Sequence, residues 1–378
     1  MPNPFVYEEV VQPEDLIDRE EQSARLLARL LESRNTRLSA PRRYGKTSLL
    51  LKTLQDAERN DMVPVYVNFL GVLTIADVAT RIELAYREQL DSTLRKWFQG
   101  FIRTLRPTLG VSVPGVPLQA SVSPTPTELG LLERLALPKA LYERHSRPCA
   151  IVFDEFQDVM AAGGQIDAII RSELETHGHM AAYVFSGSQP GMMRELFSDR
   201  RRGFYAQAGE VDLPPLSPQD LAEYITQRFD EHRRDVGESL GPLLDVANGH
   251  PQRAMLLSYH LFEQTPPQGV SDTDTWTAAL RAACLEVDGE IQEAWRSLTQ
   301  PQQRLAALVA DGTMKVSSQA AQAKFGLTKT GKNAEMLRKM SDAGILVRDP
   351  CTPSGWRVTD PLFALWLRGG REWPDYRR

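Results

Sequence analysis

Residues 36–50 read TRLSAPRRYGKTSLL, a short β-prone run, then a turn of Pro, Arg and Gly, then the apolar start of a helix. The turn Ala40-Pro41-Arg42-Arg43-Tyr44-Gly45-Lys46-Thr47 nearly matches the phosphate-binding loop, Gly-x-x-x-x-Gly-Lys-Thr. In such a loop successive backbone N–H groups surround phosphates, the lysine ammonium reaches the terminal phosphates, and the following hydroxyl serves magnesium. Lys46 and Thr47 are placed for those two tasks, with Ser48 opening the helix behind them. Ala40 stands where the pattern has its first glycine, a change that matters if the position needs positive φ or close backbone approach. A Gly-Lys-Thr triplet also suits a plain structural turn. Its position between a strand and a helix favours nucleotide.

Working outward, EEQSARLLARLLE at 20–32 repeats leucine at helical spacing, and a second helix is expected from Lys46 to about Ala57. MVPVYVNFL at 62–70, CAIVFDEF at 149–156 and AAYVFSGS at 181–188 read as buried strands separated by helical stretches. Helices alternating with short apolar strands predict an α/β core with a parallel sheet. The strand CAIVFD ends on Asp154 and Glu155, of which the first can organise magnesium and the second polarise an attacking water. A solvated strand end would look the same in isolation. Ser188, leaving the next strand, suits a γ-phosphate or water contact or an ordinary turn. Asn68 could restrain Glu155.

The chain has 378 residues, 42% hydrophobic and 25% charged, which predicts two or three folded domains and excludes wholesale disorder. Forty-four basic against 49 acidic side chains leave a net charge of -5, so nothing global attracts nucleic acid or anionic lipid. Cys149, Cys284 and Cys351 lack zinc or disulfide spacing, and no stretch reaches the roughly 18 apolar residues of a membrane span. A cytoplasmic protein with no membrane partner is expected. Expected boundaries divide the chain into a core at 1–210, a helical unit at 211–290 and a third unit at 291–378, with a Gly- and Pro-rich insertion near 100–127.

In the third unit, residues 313–340 carry five lysines and one arginine against one glutamate. Two short helices about Gly326, followed by strands GILVRD and GWRVTD, suggest a winged helix, with Lys329, Lys332 and Arg338 reaching phosphates of a DNA duplex. The same module serves as a protein-contact or autoinhibitory unit.

These motifs together resemble the STAND-type signal-transduction ATPases among the AAA+ relatives, especially the archaeal-type ATPase family. The resemblance runs through LIDRE, PRRYGKTSLL, IVFDEF, VFSGS, DLPPLSPQDLAEYI, NGHPQRAMLL and the carboxy-terminal pattern, and so covers most of the chain. It implies a P-loop core, a helical lid and a winged helix, with ATP or ADP and Mg2+ between core and lid. It also implies that Asp18 and Arg19 lie near the adenine entrance and that Gly249, His250 and Pro251 belong to the closing lid. Many such proteins carry an arginine where this chain has Gln207, which leaves Arg200, Arg201 and Arg202 as possible substitutes. The expected activity is a magnesium-dependent, ATP-hydrolysing conformational switch, open to a protein partner or self-association. The alternative is a nucleic-acid-binding adaptor whose nucleotide is structural.

Overall fold

In the computed structural model of the protein, residues 3–11, 16–105, 128–163, 166–327 and 331–373 are described. The first part of the chain runs α1 Glu20–Leu31, β1 Thr36–Ser39, α2 Lys46–Arg59, β2 Val63–Asn68, α3 Ile75–Gln89, α4 Ser92–Leu105, α5 Glu128–Leu135, α6 Leu137–His145 and β3 Cys149–Asp154. It continues through α7 Ile166–Leu174, β4 Ala181–Gly187, α8 Pro190–Ser198 and β5 Gly209–Asp212. The five strands form one parallel sheet in the order β2-β3-β4-β1-β5. Both faces are covered, as an all-parallel sheet requires. Leu38, Ala150, Val152, Ala182, Val184 and Val211 face a core built with α1 and α2. Val65, Val67, Ile151, Phe153, Tyr183 and Phe185 face the other core, with α3, α5, α7 and α8. Period-two alternation therefore puts Tyr66, Asn68 and Asp154 on the side of α2.

Helices α3 and α4 are separated where the Asp91 side chain caps α4 by accepting from Leu94 N–H. Residues 100–105 extend α4, so the irregular insertion does not begin at 100. The remainder of that insertion, 106–127, lies outside the described residues.

Beyond β5 come α9 Pro218–Glu231, α10 Leu240–Ala247, α11 Pro251–Gln264 and α12 Thr273–Arg296. They are followed by α13 Gln300–Asp311, α14 Gln319–Phe325, α15 Lys332–Asp342, β6 Leu346–Arg348, β7 Trp356–Val358 and α16 Pro361–Arg368. β6 and β7 pair antiparallel, as the two flanking sequence runs predict. Two expected boundaries fall inside elements. Position 210 lies within β5, whose ladder to β1 continues to Asp212, and position 290 lies within the continuous helix α12. One apolar cluster runs from Leu221 to Leu367, so α9 to α16 share a core with no break at 290. Phe5 joins that cluster against Phe229 and Phe262, which places the beginning of the chain on the helical part rather than on the sheet.

Candidate nucleotide site

At the carboxy-terminal end of β1 the chain turns through Arg43 (φ 64°) and Gly45 (φ 79°) into α2. Gly45 is required by its left-handed backbone, and a Cβ built there would meet nothing within 4 Å. Ala40 is absent from the left-handed residues, so its methyl group carries no backbone cost and the missing glycine does not spoil the turn. α2 begins with no side-chain cap, leaving its first N–H groups directed at whatever anion the loop holds. Lys46 Nζ donates to the loop carbonyls of Ala40 (2.8 Å) and Pro41 (2.9 Å). Burial pulls its pKa down to about 8 against the attraction of Glu155 and Asp154.

The exit of β3 supplies the two acids. Asp154 is 3% exposed and has no ion-pair partner among the described residues. Its carboxylate accepts from the Glu155 N–H (3.0 Å) and from the Tyr66 hydroxyl. Glu155 takes a left-handed backbone (φ 49°) that turns its side chain toward the end of β4. There Glu155 Oε2 accepts from Ser188 Oγ (2.7 Å), Ser188 N (3.2 Å) and Gln157 Nε2 (2.6 Å). Burial works to raise the Glu155 carboxyl, but bonds from Ser188 and Gln157 and the Lys46 charge outweigh it and hold it below the usual glutamate range. Gly187 is needed for this packing, since a Cβ would stand 2.4 Å from Gln157 Oε1.

Lys46, Thr47, Asp154, Glu155 and Ser188 thus converge outside the carboxyl ends of β1, β3 and β4, where open α/β sheets place their ligands. A cavity of about 230 Å3 lined by Asn35, Arg171, Ala181 and Gln207 lies at the opposite strand ends and holds none of these groups. Asn68 does not reach Glu155: its Oδ1 accepts from Leu70 N–H, and Gln157 takes the restraining place. The segment with Arg200, Arg201 and Arg202 precedes β5 and so sits at the far end of the sheet. There Arg201 pairs with Asp199 and Arg202 with Glu195, too remote to serve the same chain's phosphate loop.

Asp18, Arg19 and Gly249 come together at the loop joining β5 to α9. Asp18 accepts from Ser217 N–H, Arg19 donates to the Pro214 carbonyl, and the Leu216 N–H donates to the Gly249 carbonyl. Gly249 is left-handed (φ 70°), and a Cβ on it would strike the Leu216 carbonyl at 2.7 Å. His250 caps α11 by accepting from the Arg253 N–H, with Pro251 in the first turn. Its ring meets the phosphate-loop Tyr44 edge-on at 5.0 Å, and burial lowers its pKa to about 4. Ser48 Oγ accepts from Val11 N–H.

Sequence reading missed Arg253, three residues beyond His250 in a stretch already singled out. Its guanidinium, 1% exposed, grips Asp360 at the start of α16 and reaches Glu290 of α12 at 3.4 Å. Glu290 also binds Arg43 of the phosphate loop at 2.5 Å. Arg357 of β7 adds its charge beside Tyr44. The loop is therefore tied to α11, α12 and the carboxy-terminal hairpin through charge. Lys332 and Arg338 are exposed on α15, while Lys329 lies outside the described residues.

No family model matches the chain, and no curated protein matches it. Solved structures do. Over 96% of this chain and 99% of the other, the structure resembles a Walker-type ATPase of Pyrococcus abyssi, with TM-score 0.67 and 19% identity. Over 96% and 94% it resembles the ORC2 protein of Aeropyrum pernix in ADPNP and ADP complexes, with TM-score 0.58 and 16% identity. At such identities the likeness is one of fold, an α/β core that fits a P-loop arrangement.

Proposed function

We propose that the protein is a magnesium-dependent, ATP-hydrolysing conformational switch. The convergence of Lys46, Thr47, Asp154, Glu155 and Ser188 at one sheet edge carries this reading. The amides of Pro41 to Thr47 and the uncapped start of α2 would hold phosphates, and Lys46, released from the Ala40 and Pro41 carbonyls, would neutralise the terminal ones. The donor set fits a hard divalent cation: a hydroxyl at Thr47 and a buried carboxylate at Asp154 with no ion-pair partner among the described residues. When bound, magnesium would draw charge from the transferring phosphoryl group. Glu155, ionised at neutral pH, would accept a proton from water, and Ser188 would fix that carboxylate's direction.

We further propose a lid formed by the helices after Ser217 and a winged helix formed by α13 to α16 with the β6–β7 hairpin. The lid would close on nucleotide through Tyr44–His250 and Arg43–Glu290. Three unpaired cysteines support an intracellular location. The position of Gln207 leaves a cationic finger to come from a second copy or another protein.

The test is phosphate release from ATP across protein concentrations, with Lys46→Ala and Glu155→Gln beside the unchanged chain. Loss of turnover in both, by about 100-fold or more for Glu155→Gln, with ATP still bound by Glu155→Gln, is the expected outcome. Unchanged turnover in Glu155→Gln would remove the assigned base. The adaptor reading rests on the exposed Lys332 and Arg338 of α15, and salt-sensitive duplex binding with no turnover would favour it.

A further inference from the structure

Among the described residues β2 is the edge strand beside β3, and no described strand pairs with the other side of its backbone. At Tyr66 that side is closed by a side chain: Gln89, the last residue of α3, accepts from the Tyr66 N–H and donates to its carbonyl, both at 2.7 Å. A carboxamide thus replaces one rung of a sheet and fixes the Tyr66 backbone in place. Strand alternation then sends the phenol to the α2 side, onto the face that carries Asp154. The hydroxyl donates to Asp154 Oδ2, while Asp154 Oδ1 accepts from the Glu155 N–H. The hydrogen-bond partner described for this hydroxyl is therefore a residue assigned to magnesium. The ring packs against the core built on α2.

We propose that Tyr66 is a positioning residue for the magnesium site, its phenol bound to Asp154 so that metal coordination must compete with that hydrogen bond. The inference rests on the nucleotide-site reading above. It makes Tyr66 a setting for metal affinity, distinct from the residues that touch phosphate. Removing the hydroxyl frees one carboxylate oxygen and leaves the ring in place. Metal then binds more tightly, while nucleotide held through Lys46 and the loop amides is unaffected.

The experiment uses the full chain, Mn2+ as paramagnetic probe, and ADP as nucleotide, comparing the unchanged protein with Tyr66→Phe. Free Mn2+ is read by electron paramagnetic resonance, and ADP affinity is measured separately in chelator. The expected result is Mn2+ bound about five-fold more tightly by the Tyr66→Phe complex, the factor that one net hydrogen bond carries, with ADP affinity in chelator unchanged. Equal or weaker Mn2+ binding by Tyr66→Phe overturns the inference while leaving the nucleotide site standing. Should the unchanged protein bind no ADP, or bind it without any Mn2+ effect, the nucleotide-site reading falls and this one with it. If Tyr66→Phe does not fold, Gln89→Ala, which loosens the Tyr66 backbone from outside the site, shifts Mn2+ affinity the same way by a smaller factor. No shift there overturns the proposal equally.

Discussion

Lys46 sits 7% exposed among polar groups that its own loop supplies, and that setting gives it an unusual titration. Its pKa is lowered to about 8 because burial penalises the ammonium more than Glu155 and Asp154 stabilise it. A triphosphate needs the charged form. The free site is therefore competent below pH 8 and loses its cation as pH rises through that value, so binding above pH 8 must take up a proton. ATP affinity is expected to be level from pH 6.5 to about 7.5 and to fall above 8 by up to about tenfold per unit. Calorimetry in buffers of different ionisation enthalpy would reveal the proton uptake. A profile flat to pH 9.5 would show that Lys46 keeps its proton in the free site well above pH 8. Glu155 titrates at the other extreme. Its carboxyl is held low by Ser188 and Gln157, so it remains an available base throughout that range.

Between elements, the joints that matter are polar pairs far apart in sequence. Arg253 on α11 and Asp360 at the start of α16 form a bidentate contact, with Glu290 of α12 as a weaker second partner. Burial opposes both charges and each partner's charge more than offsets it, raising Arg253 and lowering Asp360 from their ordinary values. Asp360→Ala leaves the Arg253 charge buried with Glu290 alone and also removes the cap of α16. The expected loss is about 3 kcal/mol, the low end for a broken buried pair, since the Asp360 side chain keeps 25% exposure. Urea unfolding would measure it, and a loss below about 0.5 kcal/mol would place the pair with surface bridges. None of this was legible in the sequence, because nothing local to Arg253 names a partner 107 residues away. The phosphate loop, β3 with its two acids, β4 and the β6–β7 pair were legible, since each is declared by contiguous residues. Tyr66 was hidden for the first reason. Its role depends on which face of β2 meets Asp154, and that register is set by the neighbouring strand. The expected boundaries at 210 and 290 fall inside β5 and α12, because the ends of a strand ladder and of a long helix are set by packing partners distant in sequence.

For the whole molecule, the question is how the carboxy-terminal elements communicate with Glu155, and the shortest route runs through α8. Ser188, which holds Glu155, is followed at once by Gln189 and the first turn of α8, and that turn packs on the end of α15. Gly191 makes the approach possible: a Cβ there would stand 2.2 Å from Asp342 Cβ and 2.8 Å from its Cα. Arg194, one turn on, pairs with Asp342 at 2.6 Å. Because backbone lies behind the clash, Asp342 cannot yield by a rotamer change, and Gly191→Ala must push α15 away from α8 or distort the exit of β4. The first outcome is expected, since β4 is buried along its whole length whereas α15 buries only Leu337 and Met340. Displacing α15 weakens the hold on the elements after Ser297. Gly191→Ala should therefore cleave faster near residues 297–299 in limited proteolysis, with turnover altered through Ser188. Met192→Ala, at a side chain 37% exposed, is the matched control and should change none of these. If Gly191→Ala resists protease as the unchanged protein does and turns over ATP at the same rate, the α8–α15 contact is packing alone, and the route from the carboxy-terminal module to Glu155 must pass through Tyr44, Arg357 and the Arg253–Asp360 joint instead.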